Sequence, residues 1–168
     1  MKVKGRVNIG RSQCYVALMA VIVGFLVSAC ATQHLATRED NILAKQFNPP
    51  ADKSYIYVIR ESTITGAAIF MSISLDQEVA GALQNNRYVL LEATPGRHEI
   101  QVGSSRRGEK KNVEFIAPTV IELETLPGRA YFIAGNMTMG RPDIRIVADE
   151  KGRKLLGKDK FKRVESLL

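Results

Sequence analysis

The stretch Leu91-Glu92-Ala93-Thr94-Pro95-Gly96-Arg97-His98-Glu99-Ile100-Gln101-Val102 decides the fold. A strand enters over Tyr88 to Ala93. Pro95 then fixes φ at the first corner of a turn, Gly96 supplies the positive φ that a type II turn needs at the second, and His98 to Val102 returns. The same chemistry occurs a second time. Leu123-Glu124-Thr125-Leu126-Pro127-Gly128-Arg129 leads into Ala130-Tyr131-Phe132-Ile133-Ala134, and the two neighbourhoods agree at Leu, Glu, Pro, Gly, Arg and a final Gly. Two similar hairpins explain this echo as well as a duplication would, so it does not make a repeat protein.

Period-two patterning continues outward from these turns. Ser54-Tyr55-Ile56-Tyr57-Val58-Ile59-Arg60 is β-branched and aromatic, as strands are. Ile69, Met71, Ile73 and Leu75 alternate with Phe70, Ser72 and Ser74, and Asp76-Gln77 turns into Glu78-Val79-Ala80. Val113–Ala117 and Val120–Glu124 read as short strands broken by Pro118, which has no N–H for a ladder and suits an edge or a bulge. Ile144–Ala148 is the last strand. Many short strands with almost no long helical period predict a mainly β chain with one antiparallel β-sandwich domain over residues 54–148.

The first thirty residues have another character. Lys2, Lys4, Arg6 and Arg11 precede an apolar run from Cys14 to Val27 with no acid among them, the order of charge and hydrophobicity in an export signal. The run is short for a span of roughly 20 apolar residues. It ends in Val27-Ser28-Ala29-Cys30, which resembles the lipobox of bacterial lipoproteins. That resemblance implies cleavage between Ala29 and Cys30, a diacylglycerol on the Cys30 thiol and acylation, for example by palmitate, of the new amino group. Several acyl chains would anchor the protein permanently, because each buried CH₂ contributes about 0.8 kcal/mol. Ala31 in place of Asp implies, by likeness to enterobacterial lipoproteins, sorting to the periplasmic face of the outer membrane. An uncleaved anchor, or a plain secretory signal with a chance cysteine, is the alternative.

Cysteine and charge counts fit this organisation. Of the two cysteines, Cys14 would leave with the signal and Cys30 would carry lipid, so no disulfide remains. The formal charge of +7 suggests nucleic acid until it is located. Removing residues 1–29 takes four of the 24 cations and none of the 17 acids, and residues 151–168 hold seven cations against two acids. The stretch between, 30–150, is left with 13 cations and 15 acids, so no nucleic-acid partner is expected. Residues 30–53, with Pro49-Pro50, read as a lipidated N-terminus and flexible tether with a helical turn near Glu39–Gln46, the alternative being an arm packed on the domain. Residues 149–168 read as a basic tail with a short helix capped by Asp149 and stopped before Gly157.

Tyr55–Ser62, the apolar strand ending in Leu75-Asp76, the Gly81–Tyr88 approach, the Pro95-Gly96-Arg97-His98 turn and the segment around Gly128 and Tyr131 together resemble a group of small bacterial lipoproteins. Their shared domain has no assigned function and looks like the PEGA and transthyretin-type β-sandwiches. The resemblance covers residues 54–148 and implies no activity and no cofactor.

Catalytic groups are scarce. His34 and His98 are the only histidines, and neither a Gly-x-Ser-x-Gly nor a His-Glu-x-x-His motif is present. An envelope hydrolase or hydrolase accessory would have to be built around His98, whereas a strand residue beside a tight turn is the simpler reading. Two distant histidines cannot make a zinc site. Tyr57, Arg60 and Tyr131 make a candidate sugar- or peptide-binding surface, against the alternative of cross-strand packing with Arg60 paired to Glu61 or Glu92. Arg106, Arg107, Lys110 and Lys111 form a basic loop. Lys158, Lys160, Lys162 and Arg163 offer contact with anionic lipid or polymer. The expectation is a non-catalytic binding or structural module of the envelope, held to the membrane at Cys30, whose partner is an envelope protein or polymer.

Overall fold

The computed structural model describes residues 34–105, 116–139 and 141–168. The expected signal over residues 1–29, the cleavage site at Ala29, the acylation site at Cys30 and the basic loop at Arg106, Arg107, Lys110 and Lys111 lie outside the described residues. The chain order is α1 (Arg38–Ala44), β1 (Ser54–Arg60), β2 (Phe70–Leu75), β3 (Glu78–Leu83), β4 (Arg87–Ala93), β5 (Gly96–Ser105), β6 (Ile116–Thr125), β7 (Ala130–Thr138), β8 (Arg141–Val147), α2 (Asp149–Leu156) and β9 (Lys162–Val164). Strands β8-β7-β1-β4-β9 form one sheet and β3-β2-β5-β6 the other. The chain is therefore the expected β-sandwich with a short C-terminal helix. It differs in one respect from a purely antiparallel one, since β1 runs parallel to β7 and β4 parallel to β9.

Both Pro-Gly turns carry the chain from one sheet to the other. Strand β4 belongs to the five-stranded sheet and β5 to the four-stranded one, and the β6–β7 connection makes the same crossing in reverse. Gly96 has φ 141° and Gly128 φ 69°, so the glycines do supply positive φ. What differs is the destination. A turn encodes a reversal of direction, but which strand the returning segment pairs with is set by packing, and each returning strand finds partners in the opposite sheet. The two arches touch, with Gly96 opposite Thr125 and the Thr125 hydroxyl donating within reach of the carbonyls of Thr94 and Gly96, each at 3.2 Å.

Strand β6 is continuous through Pro118, where a break was expected. Val102 pairs with Thr119 and Ser104 with Ile116, leaving Gly103 opposite both Ala117 and Pro118, a bulge on the sheet's outermost strand. An edge strand needs no ladder bond on its outer side, so the missing proline N–H costs little there. The β2–β3 hairpin turns at Asp76 and Gln77, with φ of 49° and 71°. The pair of positive values is what a two-residue hairpin of right-handed twist requires.

The core has two layers. Ile56, Val58, Met71, Ile73, Val89, Leu91, Ile100, Val102 and Ile133 fill the space between the sheets. The outer face of the five-stranded sheet is covered as well, by Ala44, Leu156 and Phe161 packed on Tyr57, Ile59, Tyr88, Leu90 and Phe132. This second layer explains why β1 is buried from Ile56 to Arg60 without alternation.

Two expectations are corrected here. Residues from Leu35 onward are not a free tether: Leu35 bridges Val164, the N–H of Ala36 donates to the Arg163 carbonyl at 3.1 Å, and α1 packs on the sheet through Ala44. Polar composition pointed to a tether, yet α1 is held by a single buried apolar side chain, Ala44, together with the polar bonds of Asn41. Residues 149–168 do contain the expected short helix, α2, which covers Phe132; what was not expected is β9, which extends the sheet beside β4. Thr37, not a residue inside the expected turn, caps α1 by accepting the Asp40 N–H at 3.1 Å. Asp149 opens α2 without capping it and pairs instead with Arg153 at 2.7 Å.

Candidate functional site

His98 projects from β5 beside the junction of the two arches, and 8% of it is exposed. Its Nδ1 lies 2.7 Å from an oxygen of Asp76, in the β2–β3 turn, and its Nε2 lies 2.6 Å from the Thr94 carbonyl. A carbonyl can only accept, and an ionised carboxylate can only accept, so the doubly protonated ring satisfies both. Burial alone would lower the affinity of His98 for its proton; the bonds to Asp76 and Thr94 and the charge of Asp76 outweigh it and hold the pKa above the ordinary imidazole value. For Asp76, burial pushes the other way, and the Glu99 N–H at 2.9 Å together with His98 keeps the carboxyl below its usual range. The pair is a clamp joining two turns. Neither ring nitrogen is available to take a proton from a nucleophile.

The structure does not assemble Tyr57, Arg60 and Tyr131 into one surface. Tyr57 and Arg60 are fully buried, and they lie on opposite faces of β1. Tyr57 stacks on Phe132 at 5.0 Å between ring centroids, and its hydroxyl donates at 2.6 Å to the Ala44 carbonyl at the end of α1, which also accepts the Phe47 N–H at 3.3 Å. Tyr88 does similar work, donating to the Asn41 side chain at 2.9 Å. Tyr131 packs toward the inter-sheet core, and its hydroxyl accepts the Leu126 N–H at 2.8 Å.

Arg60 is no surface group, nor is it paired to Glu61 or Glu92. Its guanidinium enters the end of the sandwich and donates to the carbonyls of Ile69, of Leu83 at 2.6 Å and of Gly66 at 2.9 Å. Burial brings its pKa down to about 10. Glu61 instead meets Arg145 at 3.2 Å. Tyr57 and Arg60 in Tyr57-Val58-Ile59-Arg60 suggested a recognition strip because aromatic and guanidinium groups often make one; the second apolar layer over the sheet's outer face was not visible in that segment.

One open cleft of about 450 Å³ lies between the β6–β7 arch and the start of α2. Leu126, Arg129, Tyr131, Ile146 and Arg153 contribute to its lining. Leu126 and Ile146 are exposed apolar groups, while Arg153 is held by Asp149 and by the Phe47 ring, 5.0 Å from its guanidinium carbon. The chemistry suits an apolar group with an acidic end near Arg129. Sequence reading passed over this cleft, since Leu126 and Arg129 flank a Pro-Gly turn and read as turn chemistry. Among the described residues no three His, Cys, Asp or Glu side chains converge to hold a metal ion.

A family model described as "Protein of unknown function (DUF2846)" matches residues 50–148. The chain is also similar to an uncharacterized protein of Haemophilus influenzae, with 26% identity over 151 residues that cover 87% of this chain and 83% of the relative. That alignment is longer than residues 50–148 and so reaches into the flanking segments.

Proposed function

The chain belongs to the DUF2846 family, and we propose that it is a lipid-anchored envelope lipoprotein whose β-sandwich is a non-catalytic binding or structural module. The observation that carries this reading is Val27-Ser28-Ala29-Cys30 at the end of a basic and then apolar leader. Cys30 takes the acyl groups after cleavage behind Ala29, and Ala31 directs the product to the periplasmic face of the outer membrane. The likeness to small lipoproteins with PEGA or transthyretin-type sandwiches supports the same reading, as two sheets of short strands are the architecture such a likeness implies.

The engagement of both His98 nitrogens by acceptors favours a module over a hydrolase. A hydrolase would need one nitrogen free to act as base. Recognition of an envelope protein or polymer falls to the cleft at Leu126, Arg129 and Ile146, since the Tyr57 and Arg60 side chains are committed to the interior.

Acylation is tested by growing cells with an alkyne-tagged palmitate, with and without a globomycin-type peptidase inhibitor. Label on the protein, accumulation of a heavier precursor under inhibitor, and loss of label in Cys30→Ser are expected. An unlabelled protein whose mass does not respond to inhibitor would overturn the anchor.

A further inference from the structure

Large apolar side chains on the surface are unevenly placed. Leu35, Ile42 and Leu43 are 46%, 53% and 59% exposed and fall within nine residues of one another, in the edge segment and α1. Leu167 and Leu168, also exposed, follow β9, but the Leu167 N–H donates to the Ala80 carbonyl of β3 at 3.0 Å, so the C-terminus runs toward the four-stranded sheet and the patch is Leu35, Ile42 and Leu43. Nothing in the fold requires Ile42 and Leu43 to be apolar, because α1 is held through Ala44 and through the polar bonds of Asn41.

Cations border this corner. The turn before β9 carries the exposed Lys158 and Lys160, and the exposed Lys162 opens β9, which lies beside α1 because Asn41 accepts the Arg163 N–H at 3.1 Å. Arg163 reaches the Asp40 carbonyl at 3.5 Å. Acids are present too, at Glu39, Asp40, Asp159 and Glu165, leaving a modest excess of positive charge. Exposed aliphatic groups ringed by lysines match the boundary between headgroups and acyl chains, where the aliphatic groups insert and the long cationic chains reach back to phosphates.

Chain length then selects the occupant. Leu35 stands five positions after Cys30, a reach of at most about 18 Å when fully extended. We infer that the corner formed by Leu35, Ile42 and Leu43 with Lys158, Lys160 and Lys162 lies against the bilayer that holds the Cys30 acyl chains, so that the sandwich is docked on the membrane in one orientation. This inference rests on the lipid anchor proposed above. It turns the same membrane contact from a leash into a fixed seat, and it leaves the cleft at Arg129 to face other partners.

The mature protein offers a clean test, since Cys30 is its only cysteine and acylation blocks that thiol. The full chain is expressed as Leu43→Cys or, as reference, Val120→Cys, purified from membranes, labelled with a thiol-reactive environment-sensitive dye and reconstituted in vesicles of phosphatidylethanolamine with phosphatidylglycerol. Lipids carrying a shallow quencher should quench the dye at position 43 several-fold more than at position 120. Replacing Lys158, Lys160 and Lys162 by Gln should weaken the docking equilibrium by about fivefold per cation engaged, read as a quenching difference that shrinks toward none. Equal quenching at both positions in protein that still floats with the vesicles would overturn the docked orientation and leave the anchor intact. A dye at position 43 that is shielded from water but not quenched by lipid would overturn it in favour of a protein partner. Failure to float, with a free Cys30 thiol by mass spectrometry, would overturn the anchor itself and the docking with it.

Discussion

Arg60 lies at the end of β1, and its guanidinium pairs with no carboxylate among the described residues but donates to the carbonyls of Gly66, Ile69 and Leu83. Two of those carbonyls belong to the segment between β1 and β2 and the third ends β3, so one side chain ties the crossing between sheets to a strand edge. Hydrogen bonds from a charged group contribute about 1.5–3 kcal/mol, and orphaned buried acceptors cost a similar amount. Arg60→Met is therefore expected to lower stability by roughly 3 kcal/mol or more, read as a reduced urea midpoint with an unchanged slope. Full retention of the midpoint would show that the carbonyls find water. His98 acts at the other end and responds to pH. Its folded pKa is raised, so its contribution is complete below the ordinary imidazole value of about 6.5 and is lost as pH rises through the folded value. Asp76 has a lowered folded pKa, and its contribution is present above the ordinary carboxyl value and lost as pH falls. Stability should thus peak in mild acid. His98→Ala should lower it there by about 1–3 kcal/mol, with the gap to wild type closing toward alkaline pH; a gap constant from acid to alkaline pH would exclude the clamp. Neither role was legible in the sequence. Arg60 and His98 stood out as chemically rich residues, but the partners that commit them, chain carbonyls and a turn aspartate, carry no signature of pairing.

Among the elements, strand positions were legible and strand partners were not. Ser54–Arg60 was read to the residue, because β-branched and aromatic side chains mark a strand wherever it lands. Strand β9 was missed: three residues rich in charge have no alternation to detect, and they are strand only because β4 offers an open edge. Helix α2 was anticipated, but its Gly152 looks like a flaw in a helix unless the packing is known. A Cβ at Gly152 would sit 2.1 Å from Cγ of Phe132, so the glycine sets how closely the helix approaches the sheet. In an isolated helix, Gly→Ala gains about 1 kcal/mol. Here Gly152→Ala is expected to lose about 1–3 kcal/mol net, through overpacking against the ring, measured as a lower midpoint of thermal unfolding. A stabilised variant would mean that the helix can lift from Phe132 at no cost.

For the whole molecule, the decisive quantity is the second apolar layer. The family match at residues 50–148 and the strand pattern over 54–148 both mark the sandwich alone, yet Tyr57, Ile59, Tyr88, Leu90 and Phe132 are buried by segments outside those limits. Ala44 comes from one side of the sandwich segment in sequence, and Leu156 and Phe161 from the other. Exposing a large apolar side chain costs about 1.5–3 kcal/mol. Five of them come to roughly 10 kcal/mol, comparable with the whole stability of an ordinary domain, about 5–15 kcal/mol. A fragment limited to residues 54–148 is therefore expected to unfold without a cooperative transition or to aggregate through the bared face, whereas a fragment from residue 33 to residue 168 should unfold in one step. Urea titrations followed by circular dichroism, with sedimentation to detect self-association, separate the two. A cooperative, monomeric 54–148 fragment would show that the helices are ornaments on a self-sufficient sandwich. Cooperative unfolding of the longer fragment alone would make the N-terminal arm and C-terminal segment structural parts of the domain, because the layer they supply over Tyr57, Tyr88 and Phe132 would then be what the sandwich needs to stand.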